Sequence, residues 1–196
     1  MALFIHMASQ IAALVLAAGE SKRLGTPKQL IRFEGQTLLN RVIDRIRNTG
    51  IDKVFVVLGA NAAEIQASID GPVKIVNNES WSEGMGSSLR VGIKHIREEK
   101  DIEGVLLALS DQPKVSIDHF KKLISGFIRN QRTTCSFYEG KRGVPAVFPK
   151  SQFDKLLQAT GDLGARKLLR KDQVIEIECP DCGLDIDTVE DLKELS

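Results

Sequence analysis

Charge of one sign is what this chain most lacks. Its 196 residues hold 27 Lys and Arg against 26 Asp and Glu, a net charge of +1, so it has no broad basic field for nucleic acid. An acidic substrate would have to be held locally. Long apolar runs are missing too. None approaches the roughly 18 residues of a membrane span, and no charged region followed by a secretory core opens the chain, so no membrane partner and a cytoplasmic location are expected. Cysteine is scarce and odd in number at three, which argues against a disulfide framework. Cys179-Pro180-Asp181-Cys182 is a C-x-x-C, yet no second such pair or nearby histidine pair completes a zinc site, so it reads as a solvent-side turn. There is no Ser-His-Asp or Cys-His signature, and His95 and His119, each on a predicted helix without a partner, read as surface or packing residues.

Repeats, low-complexity tracts and linkers are likewise absent from residues 11–196, which read as one domain. A chain of this length buries about 70% of its unfolded surface and needs no staple. Residues 1–10 fit no element and read as a disordered extension, with His6-Met7-Ala8-Ser9 resembling a cloning scar.

Around residues 14–30 the chemistry is dense. An apolar run over 11–18 reads as a buried strand that breaks into a small-residue turn with two glycines and two cations. Backbone N–H groups near Gly19 and Gly25 can approach an anion closely, while Arg23 and Lys28 supply charge-assisted donors to phosphate oxygens. Two familiar phosphate loops do not fit. Five residues, not four, separate Gly19 from Gly25, and Thr26 follows, so this is no Walker loop. Ala18-Gly19-Glu20-Ser21 lacks the second glycine of the dinucleotide fingerprint, which leaves a hydride-transfer cofactor without support.

Beyond the loop, Thr37 caps a predicted helix with apolar positions at Leu38, Leu39, Val42, Ile43 and Ile46, stopped by Gly50. A strand over 54–58, a helix over 62–69 and a strand over 73–76 follow, a β-α-β-α-β rhythm. Such alternation implies a mostly parallel sheet with helices on both faces and ligands at the strands' carboxyl ends. The turn Gly84-Met85-Gly86-Ser87-Ser88 opens a helix running to residue 99, and suits phosphate or a base edge, or else simple capping by Ser87 or Ser88. A buried strand over 104–110 ends at Asp111-Gln112-Pro113, where a carboxylate is either a Mg²⁺ ligand or a turn residue before Pro113. A helix over 117–128, strands over 134–137 and 144–148, and a last clear strand over 174–177 complete the pattern. Arg166 either holds a substrate phosphate or pairs with a local acid, and Asp187 either binds metal or caps a final helix.

The pattern L-A-A-G-x-S-x-R-x-G-x-x-K-Q-L resembles the MobA-like nucleotidyltransferases, in their molybdenum cofactor cytidylyltransferase branch. W-x-x-G-M-G-S-S-L from Trp81, D-x-P at Asp111, G-x-P at Gly143, G-D-x-G-A-R at Gly161 and D-I-D-T at Asp185 are similar to further motifs of that family, so the likeness covers the whole domain. It implies an α/β, Rossmann-like three-layer nucleotidyltransferase (GT-A-like) fold. It implies catalytic Arg23, Lys28 and Asp111, a nucleotide site of Leu16, Ala17, Ala18, Gly19, Gly25, Lys28, Gly84, Ser87 and Ser88, and Mg²⁺ on Asp111 and Asp187. Gly143, Pro145, Asp162 and Arg166 would receive the acceptor. The family commonly has histidine where Val144 stands and proline where Val189 stands. The implied reaction joins CMP from CTP to the terminal phosphate of molybdopterin or molybdenum cofactor, with a molybdenum hydroxylase as recipient. A sugar- or polyol-phosphate nucleotidyltransferase and a non-catalytic cofactor-delivery factor are the alternatives. Ala18 stands where the guanylyl branch has a second glycine, and its methyl reduces the room for a purine.

Overall fold

A computed structural model describes residues 8–161, 164–170, 173–188 and 190–191. Strand β1 (Ile11–Ala17) is buried throughout, as a continuous apolar run must be at the centre of a sheet covered on both faces. β2 (Arg32–Phe33) and β3 (Gln36–Thr37) form a small ribbon apart from it. β4 (Val54–Leu58), β5 (Lys74–Asn77), β6 (Gly104–Leu109), β7 (Thr134–Tyr138), β8 (Lys141–Pro149) and β9 (Ile175–Glu178) join β1 in a seven-stranded sheet of order β5-β4-β1-β6-β8-β7-β9. β1 pairs in parallel with β4 and β6, β4 with β5, and β7 with β9, while β8 runs against both of its neighbours. The expected mostly parallel α/β sheet is what forms.

Period-two alternation sends successive residues of the central strands into two cores. Ala13, Val15 and Ala17 face helices α1 (Leu38–Arg47) and α2 (Ala62–Ala67). Ala12, Leu14 and Leu16 face α3 (Met85–Arg97), and α4 (Ile117–Asn130) packs on the first side. Leu39, Ile43 and Ile46 on α1 are fully buried, each such side chain contributing about 1.5–3 kcal/mol. Thr37 Oγ1 accepts the Asn40 N–H to start α1, and Ser116 Oγ accepts the His119 N–H to start α4, both as the sequence suggests. α2 is shorter than expected because Ser68 and Ile69 close on Ile65 and Gln66 by i→i+3 bonds. The hairpin strands are longer than expected because Glu139 (φ 50°) and Gly140 (φ 70°) turn the chain in two residues. Of the opening residues, Ala8 is buried and Gln10 C=O accepts the Glu103 N–H.

The cysteine reading is corrected here. Cys179 and Cys182 are buried in the core cluster that holds Phe120 and Tyr138 and form a disulfide across a turn whose middle residues, Pro180 and Asp181, are exposed as expected; Cys135 is free and buried. Three residues of spacing do not reveal that the β9 turn folds back under α4. His119 is also better connected than its sequence context implies: a ligating atom of its ring lies within 4.8 Å of both sulfurs, and its Nε2 lies 2.8 Å from Ser136 Oγ. Burial, then the Lys122 charge, push its pKa down to about 4. No helix among the described residues is long and apolar enough to cross a membrane.

Candidate active site

Register aligns Ala17 with Leu58 and Leu16 with Leu109, so the carboxyl ends of β1, β4 and β6 open on one edge. A cleft of about 230 Å³ lies there, lined by residues 16–19, Lys28, Gln29, Trp81, Gly84, Met85, Ser88 and residues 109–111. Its floor is the loop after β1. Gln29 is fully buried, and its Nε2 donates to Ala17 O (2.8 Å) and Gly19 O (3.1 Å), which pins the loop from beneath. The Lys28 N–H donates to Ser21 Oγ at 3.0 Å. The far wall is the turn into α3. Gly84 there has φ 98°, a backbone that glycine reaches without cost, and Trp81 packs so tightly on Gly59 that a Cβ at 59 would lie 2.5 Å from it.

Charge concentrates at one corner. Lys28 Nζ donates to Asp111 Oδ2 at 2.5 Å and to Asp187 Oδ1 at 2.7 Å, and Arg23 Nη2 donates to Asp187 Oδ2 at 2.8 Å. Burial alone would lower the Lys28 pKa, but Asp111, and then Asp187, outweigh it and hold the ammonium above the usual lysine value. Burial likewise works to raise Asp187, and the Lys28 and Arg23 bonds and charges overcome it and keep the carboxyl below its usual range. A third carboxylate stands beside them. Asp185 is pushed up to about 6, first by burial and then by the Asp111 charge.

These residues suit a divalent cation. Asp111 Oδ1 and Asp185 Oδ1 are buried oxygens without a hydrogen-bond partner among the described residues, beside the paired oxygens of Asp187. Hard oxygen donors of one charge, with two acceptors unused, match what Mg²⁺ or Mn²⁺ takes. Asp187 is not tied up as a cap. Thr188 Oγ1 accepts the Asp191 N–H, and Asp191 Oδ2 accepts the N–H groups of residues 187 and 188, a capping box that leaves the Asp187 carboxylate to Lys28 and Arg23.

Several residues singled out from sequence therefore converge: Leu16, Ala17, Ala18, Gly19, Lys28, Gly84, Ser88 and Asp111 on the cleft, Arg23 and Asp187 at its charged corner. Others stand apart. Gly25 (φ 70°) shapes the loop without lining the cleft. Ser87 is buried one layer back, its hydroxyl bonded to Ser80 O and Gly84 O. Gly143 lies against the Tyr138 hydroxyl and the backbone C=O of Pro145 accepts from Ser136 Oγ, and neither residue lines the cleft. Val144 between them lines a small apolar recess that shares Leu16, Met85 and Leu109 with the cleft and reaches Arg166. Asp162 lies outside the described residues. Asp185, Gln29, Trp81 and Asn78 escape assignment from sequence, although each sits inside or beside a motif already singled out.

Comparison with known proteins shows the family to which the chain belongs. Nicotine blue oxidoreductase of Paenarthrobacter nicotinovorans is 35% identical over 94% of this chain and 96% of its own length. Molybdenum cofactor cytidylyltransferase of Escherichia coli K12 is 26% identical over 93% and 94%. The crystal structure of Rv0371c from Mycobacterium tuberculosis H37Rv matches with a TM-score of 0.81 and 32% identity over 96% of this chain and 98% of that one. Its complex with manganese matches at 0.77 and 30% over 95% and 97%. The MobA-like NTP transferase domain matches residues 13–176, and the chain belongs to that family of nucleotidyltransferases.

Proposed function

We propose that the protein is a Mg²⁺-dependent cytidylyltransferase that moves CMP from CTP to the terminal phosphate of molybdopterin or molybdenum cofactor in the cytoplasm, for use by a molybdenum hydroxylase. One observation carries the reading: Lys28 bridging Asp111 and Asp187 at the mouth of a cleft floored by the β1 loop. The attacking phosphate oxygen is already an anion, so catalysis needs position and charge rather than an activated protein nucleophile. Gln29 holds the loop carbonyls inward, leaving N–H groups of the loop for the triphosphate. Lys28 and Arg23 exchange carboxylate oxygens for phosphate oxygens and so neutralise the charge on the departing pyrophosphate. Asp111, Asp187 and Asp185 would hold the Mg²⁺ ion, whose role is Lewis-acid neutralisation of the phosphates. Arg166, which lines the same recess as Val144, would meet an anionic acceptor.

Pyrophosphate release with each of the four NTPs, with and without purified molybdopterin, tests this. CTP with molybdopterin and Mg²⁺ is the expected productive set; release with a sugar phosphate instead would move the acceptor to that class. Because the 35% relative is named for an oxidoreductase activity, a parallel arm offers reduced nicotinamide and an oxidised dye. Nicotinamide oxidation with no pyrophosphate under any NTP would overturn the transferase reading.

A further inference from the structure

We propose that Asn78 is a positioning residue that fixes the Ser88 hydroxyl as a hydrogen-bond donor in the cleft, and that the cleft thereby selects cytosine over uracil. The inference rests on the nucleotide reading above and narrows it to one edge of the base.

The argument is a count of protons. Asn78, buried just after β5, donates through Nδ2 to Ser87 Oγ and to Ser88 Oγ, both at 2.9 Å, and accepts the Ser80 N–H on Oδ1 at 3.1 Å. The Ser80 contact settles the amide's orientation, since a flipped amide would turn a donor onto a donor. An NH₂ group only donates, so both serine oxygens are acceptors towards Asn78. Ser87 passes its own proton to Ser80 O or Gly84 O. Ser88 has also accepted and keeps its proton, which no described residue takes. Ser88 lines the cleft. It sits in the first turn of α3, a helix of 13 residues in which Gly84 O takes the Ser87 N–H while the N–H groups of Met85 and Gly86 have no intrahelical carbonyl to meet. This wall of the cleft therefore presents donors.

Cytosine meets such a wall with acceptors at both O2 and N3. Uracil matches at O2 but carries a hydrogen on N3, so donor faces donor and both lose their water without compensation. If Asn78 were replaced by an acceptor, the serine protons would turn back towards it and the cleft would show a lone pair instead.

Equilibrium binding of CTP and UTP in Mg²⁺, for the wild type, Asn78→Asp, Ser88→Ala and the double variant, tests this, with thermal melts to confirm folding. Asn78→Asp keeps an oxygen for Ser80 and reverses the polarity towards the serines; the negative charge it adds acts alike on CTP and UTP, which carry the same triphosphate, so the ratio of the two is the readout. The wild type should bind CTP about 10-fold or more tighter than UTP, a ratio within reach of one mismatched hydrogen bond. Asn78→Asp and Ser88→Ala should each collapse that ratio, and Asn78→Asp should add nothing on the Ser88→Ala background. An unchanged ratio in either folded variant, or an equal loss of both nucleotides, overturns the proposal. Should Asn78→Asp fail to fold, Ser88→Ala decides alone. Equal wild-type binding of both nucleotides defeats this proposal while the transferase reading stands; binding of neither defeats both.

Discussion

Lys28 and Asp187, 159 positions apart in the chain, meet at 2.7 Å. The ammonium shares two carboxylates with the position a divalent cation would take. Lys28→Ala should therefore tighten Mn²⁺ binding to the nucleotide-free protein, by about 10-fold or more, since both competing ion pairs, to Asp111 and to Asp187, are removed. Titration calorimetry reads this; weaker binding in the variant would show that Lys28 supports the site rather than competes for it.

The same variant should be a poor enzyme. Losing a donor to phosphate in a largely desolvated corner costs on the order of 2–5 kcal/mol of transition-state stabilisation. Steady-state kinetics on Lys28→Ala and Arg23→Ala check this, with the larger loss at Lys28, the more buried of the two. Unchanged kcat/KM in both would remove them from the mechanism.

Asp111→Asn and Asp187→Asn should each lower metal-dependent turnover by roughly 100-fold or more while the protein still folds, since each removes a hard anionic ligand. Asp185→Asn tests the third carboxylate and should weaken the apparent affinity for Mg²⁺. Full activity at limiting Mg²⁺ in the Asp185 variant would leave that residue a packing role only.

His119 gives the fold a pH dependence of its own. Its folded pKa of about 4 lies below the ordinary 6.5, so its stabilising effect is complete above 6.5 and is lost as pH falls towards 4. At pH 5 the unfolded imidazole has taken up a proton that the buried one refuses, a loss of about 2 kcal/mol. Urea unfolding at pH 7 and pH 5 should show this loss in the wild type and a smaller one in His119→Gln; parallel slopes would assign the acid sensitivity elsewhere.

Reduction of the Cys179–Cys182 bond should cost about 2 kcal/mol, since the closed loop is short and little unfolded-state entropy is at stake. Unfolding midpoints with and without a reductant measure it.

What could be read from the chain and what could not divides along physical lines. β1 and β4 announce themselves as apolar runs, and Asp111 stands just past the end of β6, where a parallel sheet presents ligands whatever its neighbours, while Lys28 belongs to the loop that follows β1 and is marked by its motif rather than by a strand end. Gly143 and Pro145 do not yield to that logic. Alternation puts them on the face opposite Val144, and the choice of face is made by the pairing of β7 and β8, which shifts register between Cys135 and Ser136. Gln29 and Asn78 are buried and Asp185 half-buried, polar groups whose roles depend on which segments meet above them, and local pattern carries no trace of that. Their partners lie at distances in sequence that no period predicts.

Trp81, pressed against Gly59 on the cleft wall, is the chain's one tryptophan, and its one tyrosine, Tyr138, lies in the β7 strand. The protein thus carries its own optical label at the place where a nucleotide would enter. Indole emission, excited selectively at the red edge, comes from that wall alone, so quenching or a spectral shift on adding a ligand reports local occupancy without any dye or engineered probe.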